Sequence, residues 1–143
     1  MTVAHILKEK GNAVVSVQDD ATILDAMHVL ADKRIGAVLV MSDAGAVAGV
    51  LSERDIVRGL AVQGPDLLGK PVSAVMTREV ITTTPETPIA SVMNQMTANR
   101  IRHLPVLNGD TLVGVISIGD VVKHRIAETE HEAEALRDYI ATG

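Results

Sequence analysis

The pattern of apolar and polar positions divides the chain into short alternating elements. Brief apolar runs rich in β-branched residues predict three strands, at 14–17, 37–41 and 47–51. Two helices are predicted between and after them, at 22–33 and from Ser52 to about 62. Thr22 and Asp25 form a capping-box-like start for the first of these helices. The order is therefore strand, helix, strand, strand, helix.

The same pattern occurs a second time when the sequence is shifted by 66 positions. Arg34 then falls on Arg100, and after one deleted residue Gly-Val-Leu-Ser at 49–52 falls on Gly-Val-Ile-Ser at 114–117. The second copy predicts a helix from Pro88 to about Asn99 and strands at 103–107 and 112–117. We therefore expect an α/β (α+β) fold of two β-α-β-β-α repeats, related by a pseudo-twofold axis and packed face to face, with an N-terminal helix and a long C-terminal helix.

The predicted domain organisation follows from the repeats and the breaks between them. It comprises an N-terminal helical segment (1–13), a first repeat (14–63), a linker with two Gly and two Pro (64–79), a second repeat (80–125) and a helical tail (126–143). The tail carries a stripe at 3,4 spacing: Ile126, Thr129, Ala133, Leu136 and Ile140. Such a stripe predicts a contact that either covers the protein's own surface or joins two copies in a homodimer.

Composition excludes several classes of function. The 143 residues include one Tyr, no Phe, no Trp and no Cys, and the formal net charge is −5. Nucleic-acid binding is disfavoured because neither stacking rings nor a general basic surface is present. Disulfides and the common structural zinc sites are absent. The sequence has no apolar stretch of membrane-spanning length and no signal-peptide pattern, so a soluble, cytoplasmic protein that does not bind a membrane is expected.

Both repeats end their third strand with Ser-x-x-Asp, at Ser52–Asp55 and Ser117–Asp120. One interpretation is helix capping, in which the hydroxyl and the carboxylate satisfy free backbone N–H groups. The other is a ligand site, because a carboxylate at a strand-to-helix corner can chelate a ribose diol while the helix N-terminus faces a phosphate. One residue can serve both purposes.

Other side chains suggest chemistry less strongly. Arg102 and His103 stand at the entry of a strand, either as an exposed basic edge or as cations for a phosphate. The first repeat has uncharged Gly36 and Ala37 there, so a phosphate would use the two repeats unequally. His124, Glu128 and His131 share a helical face, but the neighbouring glutamates favour a solvated acidic face over a metal site. Catalytic motifs such as a P-loop or Gly-x-Ser-x-Gly are absent, so we expect no enzyme activity.

The duplicated unit with Gly-Val-Leu-Ser-Glu-Arg-Asp and Gly-Val-Ile-Ser-Ile-Gly-Asp at its ends resembles a pair of cystathionine-β-synthase (CBS) domains, over Val14 to about Arg125. It is similar to stand-alone bacterial proteins that consist of such a pair and a helical tail. The resemblance implies a regulatory module that senses an adenosine-containing ligand: AMP, ADP, ATP, NAD(H) or S-adenosylmethionine. AMP, ATP and NAD(H) are the foremost candidates, and no cofactor is required.

The resemblance also implies two clefts and their residues. Each cleft takes a Ser-x-x-Asp motif from one repeat and frames the adenine with residues of the other. One cleft would contain Ser117, Asp120, Gln18, Ile23 and Ala37, with Arg102 or His103 toward the phosphate. The other would contain Ser52, Arg54, Asp55, Thr82, Thr84, Ile89 and Arg102. An alternative is an interaction scaffold with empty clefts, whose tail recruits a regulated protein partner.

Overall fold

A computed structural model describes residues 1–142, which form five α-helices, five strands and two short 3₁₀ helices. The helices are α1 (Val3–Lys10), α2 (Ile23–Lys33), α3 (Glu53–Gln63), α4 (Ile89–Asn99) and α5 (Ile118–Thr142). The strands are β1 (Ser16–Gln18), β2 (Ala37–Met41), β3 (Val47–Ser52), β4 (His103–Asn108) and β5 (Thr111–Ser117). The 3₁₀ helices are Gly64–Gly69 and Val72–Ala74. The predicted mixed α/β class is confirmed.

The chain forms two compact units, and one of them combines two segments that are far apart in the sequence. The first-repeat unit is Val14–Ile81, and it contains the first repeat and the segment that follows α3. The second-repeat unit combines Met1–Ala13 with the chain from Thr82 onward. Each repeat therefore packs with the segment that precedes the other repeat in the sequence.

The first-repeat unit has a three-stranded sheet in the order β1-β2-β3. β1 runs parallel to β2, and β2 runs antiparallel to β3 with Ala37 opposite Ser52. The segment after α3 contributes Leu67, Val72 and Met76 to the buried core. Apolar side chains of α2, β2, β3 and α3 form the rest of that core, so α3 packs in the same core as the strand that precedes it.

The second-repeat unit has a two-stranded antiparallel sheet, with His103 of β4 opposite Ser117 of β5. The predicted first strand of this repeat is reduced, within residues 1–142, to a single parallel bridge between Thr83 and Val106. The shift of 66 places Pro105 where Leu39 pairs with β1 in the first repeat. Proline has no N–H to donate, so the ladder loses a hydrogen bond at this position.

The two repeats agree even in an uncommon backbone conformation. α2 ends at Arg34 with φ 54°, and α4 ends at Arg100 with φ 53°. The left-handed conformation is unusual for a residue with a side chain, yet it lets the next N–H groups return to the last turn of the helix. Ile35 N–H donates to Leu30 O at 3.1 Å, and Ile101 N–H donates to Met96 O at 3.0 Å. The duplication therefore extends to the backbone that leads into β2 and β4.

Candidate functional site

The Ser52 corner, residues Ser52–Asp55, joins β3 to α3 as a reciprocal capping box. The Asp55 N–H donates to Ser52 Oγ at 3.1 Å, and the Ser52 N–H donates to Asp55 Oδ2 at 3.0 Å. Glu53 N–H donates to Gly36 O at 2.9 Å, which ties the helix start to the entry of β2. The capping interpretation of this motif is confirmed, and it fixes the direction of the Asp55 carboxylate.

The Ser117 corner, residues Ser117–Asp120, repeats this geometry between β5 and α5. Asp120 N–H donates to Ser117 Oγ at 3.2 Å, while the Ser117 N–H and hydroxyl both donate to Asp120 Oδ2 at 2.9 Å. Ile118 N–H donates to Arg102 O at 2.8 Å, the counterpart of the bond to Gly36. This hydrogen bond holds the backbone of Arg102 beside the Ser117 corner, and the Arg102 side chain is exposed.

Lys10, at the end of α1, is a residue of the Ser117 corner that the sequence did not reveal. Its ammonium group donates to Asp120 Oδ2 at 2.6 Å and to the backbone oxygen of Val115 at 3.0 Å. The neighbouring Glu9 contacts His124 Nε2 at 2.6 Å, so the end of α1 is fastened to α5 at two adjacent residues. No local motif signals these contacts, because they join positions more than 100 residues apart.

Thr77 occupies the equivalent place in the Ser52 corner. Its backbone N–H and oxygen pair with Val50, the counterpart of Val115, at 2.9 and 3.0 Å. Its hydroxyl donates to Asp55 Oδ2 at 3.5 Å, a long hydrogen bond. The two corners thus have the same capping geometry, but the covering segment brings a cation to Asp120 and a neutral hydroxyl to Asp55.

In both corners the hydrogen bonds fall on one oxygen of the carboxylate. Oδ2 of Asp55 and Oδ2 of Asp120 receive all of the donors described above. Within residues 1–142, Oδ1 of either aspartate has no hydrogen-bond donor. A carboxylate oxygen accepts two hydrogen bonds, so each corner presents an oriented acceptor for a ligand hydroxyl.

The pKa values at the Ser117 corner follow from these contacts. Burial opposes ionisation of Asp120, but the hydrogen bonds from Lys10 and Ser117 outweigh it, and the pKa of Asp120 lies below its ordinary value. The pKa of His103 is also lowered, by burial first and then by Lys10 and Arg102, against the opposing effect of Asp120. A lowered pKa favours the neutral form of His103 near pH 7, and the expectation that Arg102 or His103 lies toward a phosphate stays a prediction. Lys10 and Arg102 carry the positive charge here.

The other predicted site residues lie in both units. Gln18 ends β1, Ala37 begins β2 and Arg54 is exposed on α3, all in the first-repeat unit. In the second-repeat unit the hydroxyls of Thr84 and Thr87 are 2.8 Å apart, and the backbone oxygen of Thr82 accepts from Gln95 at 3.2 Å.

Ile23 and Ile89, predicted to lie against the adenine, are the first residues of α2 and α4. Both are fully buried, and Ile23 belongs to the core of the first-repeat unit. Their side chains therefore have a structural role in core packing. Each predicted cleft combines residues of both units, and that combination stays a prediction.

The helical face with His124, Glu128 and His131 has other roles in this structure. His124 is nearly buried between Glu9 and the backbone oxygen of Asp120, and Glu128 contacts Arg125 and the N-terminal amine of Met1. In the part of the chain that is described, no cluster of three metal-ligating side chains is present. None of the helices within residues 1–142 has the length and apolar character needed to cross a bilayer.

Comparison with known proteins agrees with the duplicated corner geometry. The family model of the CBS domain matches residues 3–62 and 72–127. The CBS domain-containing protein CBSX3, mitochondrial, of Arabidopsis thaliana is 36% identical, over 99% of this chain and 73% of that protein. The crystal structure of ATU1752 from Agrobacterium tumefaciens, a CBS-domain containing protein, has a TM-score of 0.82 and 41% identity, covering 87% of this chain and 92% of that one.

A second similar structure was solved in complex with a nucleotide. PAE2072 from Pyrobaculum aerophilum, a CBS domain protein solved in complex with AMP, has a TM-score of 0.74 and 29% identity, covering 84% of this chain and 89% of that chain. The two matched segments include both Ser-x-x-Asp corners. This chain belongs to the CBS-domain family and carries two CBS domains.

Proposed function

We propose that this protein is a regulatory module that binds an adenosine-containing ligand through the aspartates of its two corners. The observation that carries the proposal is the arrangement of Asp55 and Asp120. In each, Oδ2 is held by the capping box while Oδ1 has no donor within residues 1–142. A ribose diol offers two adjacent hydroxyl donors, and a fixed carboxylate is a strong acceptor for such a pair.

The proposed ligand is an adenine nucleotide, with AMP, ATP or NAD(H) as first candidates. Family membership and the AMP complex of PAE2072 support an adenosine ligand. With one Tyr and no Phe or Trp in the chain, the base would lie against aliphatic side chains and backbone rather than between rings. The ligand acts as a regulatory signal and not as a cofactor, because we propose a non-catalytic module. The cytoplasmic location expected from the sequence stays a prediction.

Isothermal titration calorimetry against AMP, ADP, ATP, NAD⁺, NADH and S-adenosylmethionine tests this proposal. We expect at least one of these ligands to bind, and the Asp55→Ala/Asp120→Ala double variant to lose that binding. Absence of binding by all six at millimolar concentration would overturn the proposal. It would favour the alternative, an interaction scaffold that acts through its helical tail and shows no thermal shift with nucleotides.

We also propose that the chain forms a homodimer through the stripe of α5 that runs from Ile126 to Ile140. Three residues of the stripe are apolar and largely exposed: Ile126 (54%), Leu136 (60%) and Ile140 (68%). The spacing of the stripe is that of the a and d positions of a two-stranded coiled coil. A helix segment without packing partners is marginally stable in water, so a second copy would stabilise it by covering the stripe.

The charges beside the stripe support a second copy as the occupant. In a parallel pair of helices, a residue at a g position faces the e position five residues further along the partner. Arg125 then faces Glu130, and Glu132 faces Arg137, so that both pairs have opposite charges. By the twofold symmetry of such a pair, each contact occurs twice.

Leu136→Glu tests the homodimer, with Ala135→Glu as its control, because Ala135 is also exposed but lies off the stripe. Light scattering coupled to size exclusion should give a dimer mass for the unmodified chain and the control, and a monomer mass for Leu136→Glu. A dimer mass for Leu136→Glu would contradict this interface.

Truncation before Ala127 should leave nucleotide binding intact, whereas a scaffold that acts through its tail would lose its partner.

A further inference from the structure

Lys10 has one hydrogen-bond donor at the Ser117 corner beyond those that connect α1 to β5 and α5. An ammonium group has three N–H donors, and two are used, toward Asp120 Oδ2 and the backbone oxygen of Val115. The side chain is 36% exposed, and within residues 1–142 its third N–H has no acceptor. The corner therefore presents a carboxylate oxygen without a partner and, beside it, an ammonium group with a free donor.

The side chains near Asp120 carry both signs of charge, because Lys10 is positive while Glu9, also on α1, is paired with His124. Arg102 is exposed at the entry of β4, and its backbone oxygen accepts from the first residue of α5. His103 is opposite Ser117 in the ladder and is kept neutral by burial and by its cationic neighbours. Two permanent cations, Lys10 and Arg102, thus act on His103, and Lys10 also contacts the Asp120 carboxylate. At the Ser52 corner, Thr77 and Gly36 stand in the places of Lys10 and Arg102.

We propose that Lys10 makes the Ser117 corner selective for adenosine ligands that carry a phosphate on the 5′ side of the ribose. The inference rests on the proposed function, because it requires that Asp120 accept the ribose hydroxyls. A carboxylate by itself would repel a nearby phosphate. Lys10 neutralises that charge and donates its free N–H to the phosphate, a charge-assisted hydrogen bond. A ligand with a sulfonium on the 5′ side is disfavoured by the same group.

Calorimetry with AMP and adenosine on four forms of the full chain tests the inference. The forms are the unmodified protein, Lys10→Gln, Lys10→Arg and Lys8→Gln. Lys8 is exposed on the same helix, so its variant makes the same change in net charge away from the corner. We expect the unmodified protein to bind AMP more tightly than adenosine, by about tenfold or more for one charge-assisted hydrogen bond.

Lys10→Gln should lose most of this preference, measured as the ratio of its AMP and adenosine affinities, and Lys10→Arg and Lys8→Gln should retain it. Adenosine binding by Lys10→Gln also shows that the corner still folds. An unchanged ratio of AMP to adenosine affinity in Lys10→Gln would overturn the role of Lys10 and leave the proposed function standing. Equal affinities for AMP and adenosine in the unmodified protein would overturn it without any variant. Absence of binding by both ligands would remove the proposed function together with this inference.

Discussion

The Ser52 and Ser117 corners share their capping boxes and their cross-strand register, and they differ in the segment that covers them. Met76 and Thr77, from the segment after α3, lie over the Ser52 corner, whereas Leu7 and Lys10 of α1 lie over the Ser117 corner. The covering segment reaches the same strand position in each case, at Val50 or Val115. The side chain that contacts the aspartate is different, a neutral hydroxyl at Asp55 and an ammonium group at Asp120.

This difference shows how a duplicated fold can acquire two unlike sites. The motif itself has the same role in both repeats, because capping constrains the Ser and the Asp. The residues that meet the carboxylate come from outside the motif, so they can change without disturbing the cap. The Ser117 corner therefore has a cation hydrogen-bonded to its aspartate, whereas at the Ser52 corner the cation of the motif, Arg54, is exposed on α3.

Glycines at equivalent positions should differ most in their tolerance of a methyl group. A Cβ at Gly49 would lie 2.7 Å from the backbone oxygen of Thr77, whereas a Cβ at Gly114 would lie 2.6 Å from the terminal methyl group of Leu7. The leucine side chain can move and the backbone cannot. We expect Gly49→Ala to lower the free energy of unfolding by about 3 kcal/mol and Gly114→Ala by about 1 kcal/mol. Urea unfolding measures both, and equal losses would refute the difference in covering contacts.

The charge of the ligand should distinguish the effect of Asp120→Ala on binding from that of Arg102→Ala. Asp120→Ala removes the acceptor for the diol and should weaken adenosine binding by about tenfold or more. Arg102→Ala should change the affinity for adenosine little, because an uncharged ligand makes no ion pair with the guanidinium. For AMP the two losses should become similar or change order. Calorimetry gives both affinities, and an equal loss of adenosine binding in the two variants would contradict this division of roles.

Removal of the capping hydroxyls should destabilise the two units unequally. Ser52→Ala loses one hydrogen bond to the start of α3, whereas Ser117→Ala also loses the hydroxyl donor to Asp120 Oδ2. We expect losses of about 1 kcal/mol for Ser52→Ala and somewhat more for Ser117→Ala. Chemical unfolding of both variants provides the test. A larger loss for Ser52→Ala would show that the hydroxyl bond to Asp120 adds no stability.

The smallest effect is a pH dependence that belongs to the Ser117 corner alone. Because the pKa of His103 is lowered in the folded state, the unfolded chain takes up a proton first as the pH falls. The stability from neutral His103 is complete above about pH 6.5 and declines below it, through the folded pKa. Lys10, Arg102 and Asp120 are the charged groups involved.

His103→Gln should therefore lose less stability than the unmodified protein between neutral pH and about pH 5.5. Thermal unfolding over this range measures the difference. A change at Ala37, the equivalent position in the first repeat, should leave the pH profile unchanged, because that position has no titratable group. Parallel pH profiles of His103→Gln and the unmodified protein would contradict the lowered pKa.

Local patterns in the sequence predicted most of the fold, because helix and strand boundaries depend on nearby residues. The helix at 22–33 begins after Thr22 as expected, and the strand at 37–41 matches β2 residue for residue. The prediction failed for the strand expected near Val80, where the structure has only an isolated β-bridge between Thr83 and Val106 within residues 1–142. Pro105 explains it, but its effect on a partner strand became visible only once the register was known.

The duplication, the capping boxes and the family could be predicted from the amino-acid sequence, since each depends on residues close together or on a fixed offset. The tertiary structure alone decided which segment covers which corner. Lys10 reaches Asp120 across 110 positions, and Thr77 reaches Asp55 because the segment after α3 packs against the first repeat. Burial, likewise a product of the tertiary structure, made His103 neutral and left Lys10 and Arg102 as the cations. Contacts and desolvation between distant segments have no local signal, so the electrostatics of the site emerged only from the fold.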